Sequence, residues 1–309
     1  MPRFKLLPAE PNVPFLGLRK VFFTFSLLLM IASVGIFSSM GMKYGIDFTG
    51  GIMIEVKTAE PGRISIMRDQ LKALNLGSVE LQEFGAPDDI MIRVQAQDGG
   101  EAAQQAAVSA VKQALGDGIE YRRTELVGPK VSDELFWNGL YAMVSAILAI
   151  LVYIWFRFEW QFGLGAVVAL THDVVSTIGI FSLIQHEFNL ATVAAVLTIA
   201  GYSINDTVVV YDRVRENLRK YKTMPMEELL NKSANETLSR TVMTSFTTLL
   251  ALSALYIFGG EIIRDFAFAM IWGVIIGTYS SVCVAVPLLL RMGVERTPDD
   301  EQSTIEQTS

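Results

Sequence analysis

The sequence predicts an α-helical membrane protein of six transmembrane helices, with an external α+β domain of ferredoxin-like order between the first two. Three observations carry that reading. The 309-residue chain is 51% apolar and 18% charged, whereas soluble domains run nearer a quarter charged. Six stretches approach the roughly 20 apolar residues a helix needs to cross hydrocarbon. Residues 41–130 show the mixed strand and helix periods of a folded module.

The spans are residues 21–40, 135–156, 162–184, 190–211, 241–258 and 266–290, the fifth being the shortest and most polar. The first follows residues 1–20 and lacks a small-residue cleavage site, so it reads as a retained anchor. Short connections at 157–161, 185–189 and 259–265 make consecutive helices antiparallel neighbours. Inside the external segment, residues 52–57 alternate as a strand, and 64–76 carry Ile64, Met67, Leu71 and Leu74 on one helical face. Two short strands, 79–84 and 90–94, flank the turn signal Gly85-Ala86-Pro87-Asp88-Asp89. A helix at 101–115 and a strand at 119–127 complete β-α-β-β-α-β, which places two helices on one face of a four-stranded sheet. No nucleophile–base constellation occurs there, so the domain reads as a binding or moving part and the chain as no enzyme.

Basic residues set the orientation. Arg3, Lys5, Arg19 and Lys20 precede the first span, Arg157 follows the second, and Arg213, Arg215, Arg219, Lys220, Lys222 and Lys232 lie between the fourth and fifth. The opposite connections hold Arg264 beside Glu261 and Asp265, which read as solvated loop charges. Both termini and a loop at 212–240 are therefore expected in the cytoplasm, the part after Met224-Pro225 as a membrane-surface helix. The tail, 291–309, is acidic and rich in Ser and Thr, which predicts disorder.

Composition excludes several classes. No basic stripe interleaved with aromatics suggests nucleic acid. Two histidines and one cysteine cannot furnish a structural zinc site, and Cys283 reads as a small buried hydrophobe. There is no G-x-x-x-x-G-K-[ST] phosphate cradle, and no cofactor is expected. Energy for any work must come from elsewhere than ATP bound in that way.

The polar residues inside the spans are the informative ones. Asp206 interrupts the apolar run LATVAAVLTIAGYSINDTVVVY, where a carboxylate costs about 2.5 to 3.5 kcal/mol at the helix centre on insertion scales. It lies five residues from the end of its span, roughly 8 Å deep by helical rise. Arg240, at the start of the next span, is its candidate partner, on a stripe with Thr237, Thr244 and Thr248. Tyr202 and Ser203 lie about one turn before Asp206. The third span adds His172 and Asp173 among Thr171, Ser176 and Thr177, and imidazole hands on protons near neutrality. Approach or withdrawal of Arg240 changes how readily Asp206 holds a proton, so a helix shift could load it on one side and release it on the other. Each group has a plainer reading as an interhelical hydrogen bond that only fixes packing. Asp47, ahead of a Gly turn, reads as a turn stabiliser.

Four stretches resemble the SecD/SecF family of bacterial protein-export membrane proteins. YGIDFTGG, with Gly45, Asp47, Gly50 and Gly51, resembles the signature shared across that family. GYSINDTVVVYDRVREN from Gly201 resembles the fourth-span motif of its SecF branch, LSRT followed by Thr244-Ser245 its fifth-span start, and ALTHD from Ala169 its third-span motif. The resemblance runs nearly the length of the chain. It implies half of a resistance-nodulation-division type membrane fold in the inner membrane, with the residues matching Asp206 and Arg240 linked to proton passage. It also implies partnership with SecD, the SecYEG channel, YajC and YidC, and use of the proton gradient late in preprotein secretion. The alternatives are a small-molecule or lipid exporter of the same fold, and a scaffold that conducts no protons. The signature also has a local meaning, because paired glycines let the chain turn sharply from membrane helix into the first strand.

Overall fold

A computed structural model describes residues 11–294 except residues 60, 62, 85 and 117. The expectations for Arg3, Lys5, Gly85 and the tail from residue 295 fall outside the described residues, as does the side chain of Glu261. In order the elements are α1 (Arg19–Met40), β1 (Lys43–Tyr44), α2 (Ile46–Thr49), β2 (Gly51–Thr58), α3 (Ile64–Lys72), β3 (Val79–Phe84), β4 (Ala86–Val94), α4 (Gly100–Leu115) and β5 (Ile119–Val127). There follow α5 (Pro129–Arg157), α6 (Trp160–Ile184), β6 (Glu187–Phe188), α7 (Leu190–Lys220), α8 (Met226–Phe258), α9 (Gly260–Ser280), a π-helical turn (Ser281–Ala285) and α10 (Val286–Arg291). Two compact units result, one made of residues 44–142 with 187–190, the other of the rest.

The first unit is the expected α+β domain. Its sheet runs β3-β4-β2-β5, all pairs antiparallel, and β2 and β4 are central because their apolar residues alternate toward the helices. Ile52, Ile54 and Val56 of β2 and Ile90, Ile92 and Val94 of β4 are fully buried against Met67 and Leu71 of α3 and Val111 of α4. The opposite face carries charge, with Arg123 donating to Glu55 at 3.4 Å. The turn signal at 85–89 is shorter than expected: β4 already begins at Ala86, and Asp89 pairs with Lys57 of β2. Pro87 has no N–H to offer a neighbouring strand, and a register irregularity accompanies it between Glu83 and Phe84. The unit runs past residue 130 to Ala142, because Phe136 of α5 meets Phe48 edge-on at 6.0 Å.

The second unit is helical. Among the described residues six helices are long and apolar enough to cross a membrane, with mean hydropathies from 1.6 to 2.2. Within this unit α6, α7 and the α9–α10 rod carry the buried core, whereas α1 and α8 leave most of their apolar surface exposed. The rod changes pitch at Ser281–Ala285 because Pro287 cannot donate to the carbonyl one turn earlier, and the wider π turn absorbs the missing bond.

The expected loop at 212–240 is corrected. Only residues 221–225 separate α7 from α8, so neither a long loop nor a separate membrane-surface helix exists. The charged residues there are good helix formers, with no Gly or Pro before Pro225. The two extensions hold each other: Arg213 donates to Glu236 at 2.7 Å, and Asn217 donates to Ser233 at 2.9 Å and to Glu236 at 2.7 Å. Asn235 clamps the incoming chain, accepting from Val13 N–H at 2.8 Å and donating to its carbonyl at 2.9 Å. Asp265 is also corrected. It is helical and lies 2.8 Å from Nδ1 of His186, not solvated in a loop.

Candidate functional site

Three helices of the core converge on Asp173, which is 0% exposed. His172 precedes it on α6, with Nδ1 3.0 Å from Oδ1. Oδ2 accepts from Ser203 of α7 at 2.5 Å and from Ser280 of α9 at 2.8 Å. A buried carboxylate is tolerable when hydrogen-bonded on both oxygens. One turn along, Thr207 and Ser281 hydroxyls lie 2.9 Å apart, so the polar seam continues from α7 into the π turn. Nε2 of the buried His172 has no partner among the described residues.

Small residues make this convergence possible. A Cβ on Gly277 would stand 3.1 Å from Cβ of Ser203, and one on Gly273 2.2 Å from Ile199. Gly273, Gly277 and Ser281 follow at four-residue spacing on one face of the rod, the small-xxx-small arrangement that lets membrane helices approach closely. On the other side of α6, Gly179 leaves room for Ser33 of α1, whose Oγ would lie 2.3 Å from an added Cβ.

Asp206 is 4% exposed, and its Oδ2 has no hydrogen-bond partner among the described residues. Arg240 stands on an exposed face of α8. No ion pair joins it to Asp206 among the described residues. The inward face of α8 is Thr237, Thr241 and Ser245, all buried, not the expected stripe through Arg240, Thr244 and Thr248. Both stripes start at Thr237, and packing against α9 chooses between them: Ser245 Oγ lies 2.6 Å from Thr278 Oγ1 and receives Tyr202 Oη at 3.3 Å.

The signature residues sit in the α+β unit. Gly51 has φ +121°, and a Cβ there would stand 2.5 Å from the carbonyl oxygen of Val94. Gly50, at φ +68°, ends α2. Gly45 N–H donates to Phe188 O at 2.9 Å. Asp47 does not serve its own turn as expected: Oδ2 accepts the N–H of Leu190 at 2.9 Å, capping the otherwise orphaned start of α7.

Comparison with known proteins bears on this arrangement directly. A family model described as protein export membrane protein SecD/SecF, C-terminal, matches residues 107–295, and the SecD/SecF GG motif matches residues 35–61. The chain belongs to the SecD/SecF family. The protein translocase subunit SecF of Rhodobacter capsulatus is 47% identical over 312 residues, covering 96% of this chain and 94% of the relative. That of Vibrio alginolyticus is 41% identical over 295 residues, covering 95% and 94%. The crystal structure of SecDF from Thermus thermophilus superposes with a TM-score of 0.83 at 34% identity over 93% of this chain. This chain spans 39% of the length of that SecDF chain. SecDF in a super-membrane-facing form gives a TM-score of 0.68 at 32% identity, over 100% of this chain and 41% of that one.

Of the residues in this polar cluster the sequence reading named His172, Asp173 and Ser203 but not Thr207, Ser280 or Ser281. The signal for Ser280 and Ser281 was the run Gly277-Thr278-Tyr279-Ser280-Ser281, four hydroxyls inside an apolar span. No periodicity linked Ser280 to a carboxylate 107 positions away.

Proposed function

We propose that this SecD/SecF-family protein is the SecF-type subunit of the protein-export apparatus and couples proton passage through its helices to late, ATP-independent stages of preprotein movement. As a multi-pass protein of the inner membrane it acts in protein transport together with SecD. SecYEG, YajC and YidC are the further partners in this reading, and both termini face the cytoplasm. Asp206 is the proton site, Arg240 the cation whose approach or withdrawal sets its protonation, and His172 and Asp173 are relay members. The observation that carries the reading is the buried Asp206 carboxylate, whose Oδ2 has no hydrogen-bond partner among the described residues, on a helix that also contributes Ser203 and Thr207 to the polar seam. Carboxylates retained at such a depth mark ion paths in membrane proteins.

The test is preprotein export into inverted membrane vesicles with the gradient intact or collapsed. Asp206→Asn and Arg240→Ala should each abolish the stimulation by the gradient while the ATP-driven component and association with SecD persist. Unchanged stimulation in both variants would leave only the scaffold reading.

A further inference from the structure

Near the ends of α5 and α7, away from the polar seam, a cleft of about 510 Å³ is lined by Arg157, Asp212, Arg215, Glu216, Arg219 and Lys220. Both acids are already engaged. Asp212 receives Arg157 Nη2 on its two oxygens at 3.1 and 3.3 Å. Glu216 accepts from Arg213, which is not part of the lining, at 2.6 Å. No carboxylate pairs with Arg215 or Arg219 among the described residues. The Arg157 and Arg215 guanidiniums both lie over the ring of the buried Phe158, 5.1 and 5.5 Å from its centroid. Arg215 also donates to Arg157 O at 3.5 Å. Arg215 and Arg219 are thus cations without a carboxylate partner in a cleft whose acids are engaged elsewhere, so the cleft offers an anionic group two guanidiniums.

Position says which anion. Asp212, Arg215 and Arg219 share one face of α7 just beyond the apolar run, within about 12 Å of its end by helical rise. Arg215, about 6 Å beyond the run, falls within the phospholipid headgroup layer, and Arg219, about 12 Å beyond it, lies just past that layer, from which a long side chain reaches back. The stretch that joins α5 to α6 carries Trp155 and Phe156 beside Arg157 on the last turn of α5 and Trp160 at the start of α6, and these aromatics are 74%, 85% and 59% exposed. Exposed aromatics at a span end are the mark of the membrane interface.

We infer that this cleft binds the headgroup of an anionic phospholipid, its phosphate between Arg215 and Arg219 and its acyl chains along the exposed aromatic connection. A free phosphate would use the guanidiniums and gain nothing from the aromatics, whereas a lipid uses both. Basic clefts beside transmembrane helices suit such headgroups.

The full-length protein in dodecyl maltoside micelles, titrated with dioleoylphosphatidylglycerol or dioleoylphosphatidylcholine and read by native mass spectrometry, tests this. The anionic lipid should be retained and the zwitterionic one lost. Arg215→Gln with Arg219→Gln should weaken phosphatidylglycerol binding roughly thirtyfold, the effect of two juxtamembrane cations. Glu216→Gln, which removes a competing acid, should tighten it, a gain that misfolding cannot mimic. Equal retention of the two lipids, or unchanged binding in both variants, overturns the proposal. So does displacement of the lipid by inorganic phosphate at matched ionic strength, which assigns the cleft to the free anion, or by a polyglutamate peptide, which assigns it to an acidic protein.

Discussion

Asp173 shows how one buried side chain can be stabilised by residues from distant positions in the chain. Its carboxylate receives hydroxyls from α7 and α9, and hydrogen bonds to charged groups contribute about 1.5 to 3 kcal/mol each. Ser280→Ala should therefore lower the thermal midpoint of the micellar protein by a loss of about that size, while Ser176→Ala, whose hydroxyl only returns to its own helix, should move it far less. Equal effects would show that the bond to Asp173 contributes nothing special. In the α+β unit, Asp88 illustrates an exposed charge. Its hydrogen bond with Lys57, first, and its own backbone N–H hold the carboxyl below the ordinary 3.8. The native value being the lower one, the stabilisation is present above about pH 4 and fades as pH falls through the native value. Lys57→Met should raise the Asp88 value toward 3.8 in an NMR titration of the full chain, and an unmoved titration would discount the pair. Asp206 and Asp173 were legible as residues of interest because a carboxylate in an apolar run is conspicuous. Their different surroundings were not, since those depend on which helices lie alongside.

Among elements, the α9–α10 rod and the signature segment depend most on the absence of a side chain. Gly277→Leu would drive a branched chain into Ser203 of α7 and overpack the seam, a change that costs about 1 to 3 kcal/mol in a well-packed interior. A lowered thermal midpoint with impaired gradient stimulation is expected, and full activity at normal stability would refute the close approach. Gly51→Ala meets two penalties together, a Cβ against the Val94 carbonyl and a backbone at φ +121°, where strain costs about 1 to 3 kcal/mol. Three strands of the α+β unit could be read from their alternation nearly to the residue, whereas β4 starts four residues before the expected Ile90, within what its Gly, Pro and Asp residues mark as a turn. Helix ends on the charged side could not: α7 and α8 run into what composition marks as loop, because Arg213, Asn217, Ser233 and Glu236 bind across the two helices. Hydropathy detects where hydrocarbon ends, not where a helix does.

At the scale of the whole molecule, the two units have separate apolar cores. Ile54→Ala removes a fully buried side chain from the smaller one, a truncation that costs about 2 to 5 kcal/mol. Hydrogen exchange on the intact chain should then rise across residues 51–127 and remain unchanged across 160–184. A uniform rise would mean that the units unfold together.

The order of spans, the β-α-β-β-α-β sequence and the identity of the ionisable residues in the spans were all fixed by local pattern, because hydrophobic period and desolvation act residue by residue along the chain. Tertiary structure decided which face of α8 turns inward, that Asp47 caps α7, that Asp173 and not Asp206 sits within a shell of hydroxyls, and that Arg240 lies outward without an ion pair to Asp206. Each of those depends on two helices meeting at one depth and rotation. Small residues such as Gly277 permit that meeting, but a single helix carries no record of its neighbour.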